Sequence, residues 1–216
     1  MNKYVAECVG TFLLTLAVNI SLAHEFPVPT AIVAALTLGV CVYVFGDVSG
    51  THINPAITIG ILSVGKISAL EAINYLLAQC VGAGLAVFMS LAVITPAPIV
   101  AASTAQVFIG EILGAFCLAM GVASVVFGKT PAPAAGLTVG GSLLLGISIA
   151  SSVSNGVLNP AVAMGIGSVS VAYLAAPIIG TVIAFRLYRF LTAEKETPRV
   201  SVESTLQVRS VVSSVN

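Results

Sequence analysis

Charge is what this sequence has least of. Of its 216 residues, 7% are Asp, Glu, Lys or Arg, whereas ordinary soluble domains carry about 25%. A water-exposed surface cannot be built from so few charged side chains, which excludes a soluble globular domain. Tryptophan is absent, and the two histidines and four cysteines are scattered. They form no metal-ligand spacing and no nucleophile-base set, so we expect no metal, no cofactor, no enzymatic activity and no nucleic-acid partner.

Long apolar runs are what the sequence does have. Hydrophobic residues make up 58% of the chain, and a spanning helix needs about 20 of them in succession. The runs predict six membrane-spanning helices over residues 4–23, 30–45, 68–93, 105–127, 135–151 and 170–191. Because the runs are continuous rather than alternating, they favour helices over strands. We therefore predict an all-α protein embedded in the lipid bilayer.

The cations indicate how the chain is oriented. Six spans place both termini on one side of the membrane. All lysines and arginines then share that side, namely Lys3, Lys66, Lys129, Arg186, Arg189, Lys195, Arg199 and Arg209. Cytoplasmic segments carry the excess of such residues. We expect a multi-pass protein of the cell membrane with both termini in the cytoplasm.

An internal repeat divides the membrane-embedded part. The motif ECVGTF that begins at Glu7 is similar to EILGAF, which begins at Glu111, 104 residues later. The triplet Asn54-Pro55-Ala56 recurs as Asn159-Pro160-Ala161. With three spans in each copy, the second copy enters the membrane from the opposite face. The prediction is one domain, residues 1–191, made of inverted repeats over about 1–95 and 104–191, followed by a cytoplasmic tail, 192–216, that we expect to be disordered.

Each Asn-Pro-Ala triplet opens an apolar segment too short to cross, residues 55–63 and 160–168. About nine helical residues reach roughly 14 Å, half of a ~30 Å hydrocarbon core. Pro suits the first helical position, and Asn is a favoured cap before it. The preceding stretches, 46–53 and 152–158, are rich in Gly, Ser and Asn. Extended backbone at that depth must be buried in protein or line a water-filled cavity, so we predict two re-entrant half-helices beside a pore.

The half-helices also predict how such a pore treats solutes. Two helix N-termini that meet at the midplane each carry about half a positive charge, which opposes cations. If each Asn oxygen caps its own helix, the amide group remains to donate a hydrogen bond to a passing oxygen.

These features resemble the aquaporin, or major intrinsic protein, family. The resemblance rests on SGTHINPA at residues 49–56, on the second triplet and on the paired Glu7 and Glu111, and it covers about residues 4–191. It implies an aquaporin-like fold of six transmembrane helices plus two re-entrant half-helices. It also implies a homotetramer with one pore per protomer, which passes water or small uncharged solutes.

The selectivity filter departs from the family pattern. Members usually have Arg directly after the second triplet, where it forms part of the selectivity filter, and here Val162 stands there. The spacing of the family's filter residues places the other filter positions at Ala34, Ile147 and Gly156. The position on the fifth span is assigned to within about two residues. The resulting filter is apolar. Our hypothesis is a permissive pore for water, glycerol, urea, ammonia or peroxide.

Three polar residues at membrane depth have two interpretations. Glu7 and Glu111 could form a proton relay, and His52 could act as a pH-dependent gate. Since the two glutamates are related by the repeat, we interpret all three residues as hydrogen-bonding braces of the re-entrant loops.

Two other functions remain open at this point. A secondary transporter would share the inverted repeat but should show substrate or ion ligands where its helices break. A closed pore would leave the protein with a structural role.

Overall fold

The computed structural model describes residues 1–23 and 27–193. In chain order its helices are α1 (Asn2–Ala23), α2 (Thr30–Ser49), α3 (Pro55–Ser63), α4 (Ala69–Val93), α5 (Ala105–Val126), α6 (Ala135–Ala150), α7 (Pro160–Ile166) and α8 (Val171–Thr192). All except α3 and α7 are long and apolar enough to cross a membrane, α6 together with the 3₁₀ turn Ala132–Ala134 before it. The described residues contain no strand. The predicted fold class is confirmed, while the predicted tail lies outside the described residues from 194 onwards.

Two helix ends differ from the prediction. α2 continues to Ser49 instead of ending at residue 45, so half of the stretch 46–53 is helical. It ends where Gly50, with φ of 81°, donates its N–H to the carbonyl of Gly46. α7 ends at Ile166 because Gly167 also has φ of 81°. Glycine adopts this left-handed conformation without a steric penalty, which makes it a frequent helix terminator.

The two halves of the chain pack alike. α1 packs against α2 and α4, and α5 packs in the same way against α6 and α8. At two equivalent crossings, a Cβ atom on Gly82 would overlap the carbonyl of Cys8, and one on Gly180 would overlap that of Ile112. These glycines are therefore required for close approach of the helices.

Large apolar side chains cover the outer surface. Phe88, Leu137 and Phe190 are all more than 70% exposed. Such a surface suits lipid and not water. The interior between the two repeats is where polar residues collect, and the half-helices α3 and α7 lie there.

Candidate functional site

The two triplets start their half-helices through the predicted caps. The side-chain oxygen of Asn54 accepts the N–H of Ala56 at 2.9 Å. That of Asn159 accepts the N–H groups of Ala161 at 3.0 Å and of Val162 at 3.3 Å. In both triplets the proline occupies the start of the helix, where its missing N–H costs no hydrogen bond.

The two asparagines also join the repeats. The amide nitrogen of Asn54 donates to the carbonyl of Leu158 at 3.0 Å, and that of Asn159 donates to the carbonyl of Ile53 at 2.9 Å. One hydrogen of each amide is thus bound by the opposite re-entrant loop, so a single hydrogen per asparagine remains for a solute. This corrects the expectation that the whole amide group is left to donate to a passing oxygen.

Glu7 holds the first re-entrant loop in place. Its carboxylate accepts the main-chain N–H of His52 at 2.9 Å and of Ile53 at 2.6 Å. It also accepts the Ser49 hydroxyl and the Gln79 amide, both at 2.7 Å. The side chain is fully buried. Because four groups of the surroundings donate to it, the arrangement supports a bracing role rather than a relay.

Glu111 does the same for the second loop. It accepts the Ser154 hydroxyl at 2.8 Å and the N–H groups of Val157 at 3.0 Å and Leu158 at 2.7 Å. The backbone held in this way is strained, since φ is +36° at Ile53 and +57° at Leu158. Such conformations cost about 1–3 kcal/mol each in non-glycine residues. In each of these strained residues, a glutamate carboxylate of the same repeat accepts the main-chain N–H, and the triplet asparagine of the other repeat donates to the carbonyl.

His52 combines a bracing contact with a place in the cavity wall. Its Nδ1 lies 3.2 Å from the hydroxyl oxygen of Thr58, and its ring centroid lies 4.6 Å from that of Tyr75. Gln79 donates to the same Thr58 oxygen at 3.0 Å. The histidine is largely buried, yet it lines the cavity described next.

A cavity of about 360 Å³ runs between the repeats. Helices of both repeats and both re-entrant loops contribute to its wall, and most of its lining side chains are apolar. No residue that lines it within the described ranges is charged. It brings together both asparagines of the triplets and every predicted filter position, Ala34, Ile147, Gly156 and Val162.

Two of the filter positions, Gly156 and Ile147, lie close to each other. Gly156 has φ of +63°, and a Cβ atom built on it would lie 3.2 Å from a methyl carbon of Ile147. Val162 and Ala34 are both buried to 4% exposure. Small side chains at two of the four positions leave the space that the cavity occupies.

Sequence reasoning missed two contributors to this site. Asn155 lies in a loop rich in Ser and Asn, where no pattern distinguished it. It lines the cavity together with Pro98, Ile99 and Val100 of the connection between the repeats. Gln79 lies in a largely apolar helix, and nothing in the local sequence predicts that it binds Glu7.

α1 hydrogen-bonds to the re-entrant segments of both repeats, whereas Glu111 of α5 hydrogen-bonds only to that of its own repeat. Besides Glu7, α1 carries Asn19, whose amide donates to the carbonyl of Gly165 in α7 at 3.1 Å. At the position that the repeat relates to Asn19, α5 has Ala123, which has no polar side-chain atom. The two repeats are therefore similar in fold but not in bracing.

Comparison with known proteins identifies the family. The family profile described as "Major intrinsic protein" matches residues 1–188. The chain belongs to the major intrinsic protein family. Major intrinsic proteins are membrane channels for water and small solutes and not enzymes, and the family resemblance drawn from the two triplets is confirmed.

Relatives in the family come from distant organisms. Aquaporin NIP1-1 of Zea mays is 30% identical over 97% of this chain and 82% of the relative. The glycerol uptake facilitator protein-like 6 of Lactiplantibacillus plantarum is 29% identical over 90% and 100%. The X-ray structure of the aquaglyceroporin from Plasmodium falciparum superposes with a TM-score of 0.69 at 21% identity, covering 87% of this chain and 94% of that one. At that identity the structural likeness shows the fold alone.

Proposed function

We propose that this major intrinsic protein is a passive channel for water and small uncharged solutes, with an apolar outer filter that lacks arginine. One observation carries the proposal, which is that a single uncharged cavity contacts both triplet asparagines and all four filter positions. The absence of charged lining residues in the described ranges argues against a secondary transporter, which would need ion or substrate ligands there.

The composition of the filter favours a permissive pore. Val162 supplies neither the fixed charge nor the donors of an arginine, and Ala34 and Gly156 leave room. We therefore infer that glycerol, urea, ammonia and peroxide pass as well as water. Ions are opposed because an apolar wall does not replace their hydration shell, and because two helix N-termini add about one positive charge at the midplane.

We further propose a homotetramer in the cell membrane, with one pore per protomer and both termini in the cytoplasm. In this arrangement residues 1–191 form the channel domain, with repeats over about 1–95 and 104–191, and Asn54, Pro55, Ala56, Asn159, Pro160 and Ala161 form its midplane. The shared side of the lysines and arginines supports the orientation. Native mass spectrometry of the purified protein tests the tetramer, and labelling of a terminal tag from either side of intact cells tests the orientation.

Stopped-flow light scattering on proteoliposomes tests conduction. In an osmotic gradient, which measures water permeability, and in gradients of urea or glycerol, vesicles that contain the purified full chain should change volume faster than protein-free vesicles. Equal exclusion of every solute larger than water would refute the permissive filter. Accumulation of a solute against its gradient would indicate a transporter, and permeability equal to that of empty vesicles would indicate a closed pore.

A further inference from the structure

The connection between the repeats contributes to the pore wall. We call residues 94–104 the outer strap, and the end of the cavity opposite the chain termini the outer mouth. Pro98, Ile99 and Val100 of the strap line the cavity. Val100 is 82% exposed, so its side chain is not packed into the protein. The strap therefore forms part of the wall at the outer mouth.

Hydrogen bonds from the second repeat fix the position of this strap. The amide nitrogen of Asn155 donates to the carbonyl of Val100 at 3.2 Å and lies 2.8 Å from the hydroxyl oxygen of Ser168. Its main-chain N–H donates to the hydroxyl of Tyr173 at 3.0 Å. A second tie runs from the Ser170 hydroxyl to the carbonyl of Ala102 at 3.1 Å. The strap is held at two carbonyls, and Asn155 alone among its anchors lines the cavity.

Asn155 also differs chemically from the filter around it. Ala34, Ile147, Gly156 and Val162 bring no polar side-chain atom to this region. Both amide hydrogens of Asn155 are used, by Val100 and Ser168, so its Oδ1 is left as an acceptor. No described residue donates to that oxygen. The outer mouth thus combines a backbone strap, apolar walls and one amide acceptor.

We propose that Asn155 is the specificity-determining residue of the outer mouth. Asn155 holds the strap across the opening and so limits the width through which solutes larger than water must pass. In this chain no bulky filter side chain limits that width. The relevant substrates are small neutral solutes with hydrogen-bond donors, for which glycerol and urea are the probes. This inference rests on the proposed channel function.

The test compares the permeability of glycerol and of water in the same proteoliposomes. Asn155→Leu keeps the size of the side chain but removes both donors, so the strap should be released. The ratio of glycerol permeability to water permeability should then rise about fivefold, which is the change in an equilibrium constant that corresponds to one hydrogen bond of ordinary net strength. Ser170→Ala removes the other tie without changing the cavity lining, and it should shift the ratio in the same direction by a smaller factor.

The matched control is Asn74→Ala. Asn74 donates a comparable bond to the Tyr4 hydroxyl at 3.4 Å, but it lies at the opposite end of the helices and does not line the cavity. Its ratio should equal that of the unsubstituted protein. A ratio that stays unchanged in both Asn155→Leu and Ser170→Ala overturns the inference.

A chemical probe gives a second readout that does not require release of the strap. In Val100→Cys, a membrane-impermeant thiol reagent should reduce glycerol flux at least threefold. The unsubstituted protein, with its own four cysteines, should show no such reduction. Full flux after complete modification of Val100→Cys overturns the inference.

The outcomes separate the inference from its premise. If the unsubstituted protein conducts nothing, the proposed function fails. If it conducts, and neither the substitutions nor the thiol reagent change selectivity or flux, the role of Asn155 fails while the channel stands. Should Asn155→Leu not fold, Ser170→Ala and Val100→Cys decide between these results.

Discussion

Replacing Glu111 with alanine tests whether a buried carboxylate holds the second re-entrant loop. The substitution removes the acceptor of two main-chain N–H groups, those of Val157 and Leu158, and of the Ser154 hydroxyl. Val157 and Leu158 are buried, so water cannot easily replace the carboxylate. We expect the loop to lose its conformation and the cavity to lose its shape.

The magnitude follows from the number of groups left without a partner. Each buried N–H that loses its acceptor costs about 1–3 kcal/mol, so two cost roughly 2–6 kcal/mol in free energy of unfolding. For a chain of this size that corresponds to a fall in unfolding temperature on the order of 10 °C. Glu111→Gln keeps one acceptor oxygen and should fall between alanine and the unsubstituted protein.

A thiol-reactive fluorescent dye measures the transition in detergent as a rise above the signal of the exposed Cys80, because Cys41 is buried and reacts only when the helices separate. Glu71→Ala is the matched control, since it also removes a carboxylate, but from a partly exposed pair with Lys3. Such pairs contribute about 0–1 kcal/mol, so its unfolding temperature should hardly change. If Glu111→Ala unfolds at the same temperature as Glu71→Ala and conducts water normally, the bracing argument is wrong.

Three further predictions use adjacent or matched positions. A Cβ atom on Gly140 would lie 2.6 Å from the carbonyl oxygen of Ala35, whereas one on Gly141 would meet nothing within 4 Å. Gly140→Ala should therefore lower the unfolding temperature. Gly141→Ala should keep or raise it, because alanine stabilises a helix by about 0.5–1 kcal/mol relative to glycine. Val162→Arg should reduce glycerol permeability and slow the decay of a pH gradient across the vesicle membrane, because it adds a fixed cation to an uncharged cavity; equal decay in both proteins would contradict this. Asn159→Ala removes a helix cap worth about 1–2 kcal/mol and a midplane donor, so water permeability should fall towards that of empty vesicles, as stopped-flow swelling will show.

The start of each half-helix could be predicted from local chemistry alone. Asn before Pro is favourable at a helix start and nowhere else in a helix, and α3 and α7 begin at Pro55 and Pro160 as expected. The ends were less accurate. The predicted second span stops at residue 45, before Gly46, although one glycine costs a helix only about 1 kcal/mol. α2 instead continues to Ser49 and is terminated by the left-handed Gly50.

The contacts that hold the site together could not be predicted from local patterns. Gln79 binds Glu7 across 72 residues of sequence, and it does so because α1 and α4 pack closely. The tie between Asn155 and Val100 spans 55 residues and depends on where the strap crosses. Such bonds follow from the tertiary arrangement, so a single sequence predicts the type of residue at the pore but not its partners.

The exchange of hydrogen bonds between the triplets has a consequence for how the protein is made. The amide of Asn54 requires a carbonyl that is synthesised 104 residues later, and the carbonyl of Ile53 requires an amide that comes 106 residues later. While the ribosome is still producing the second half, the first loop has no partner for either group. The two hydrogen bonds that join the re-entrant loops can therefore form only after the second triplet has been synthesised, and neither half expressed by itself contains both partners of either bond.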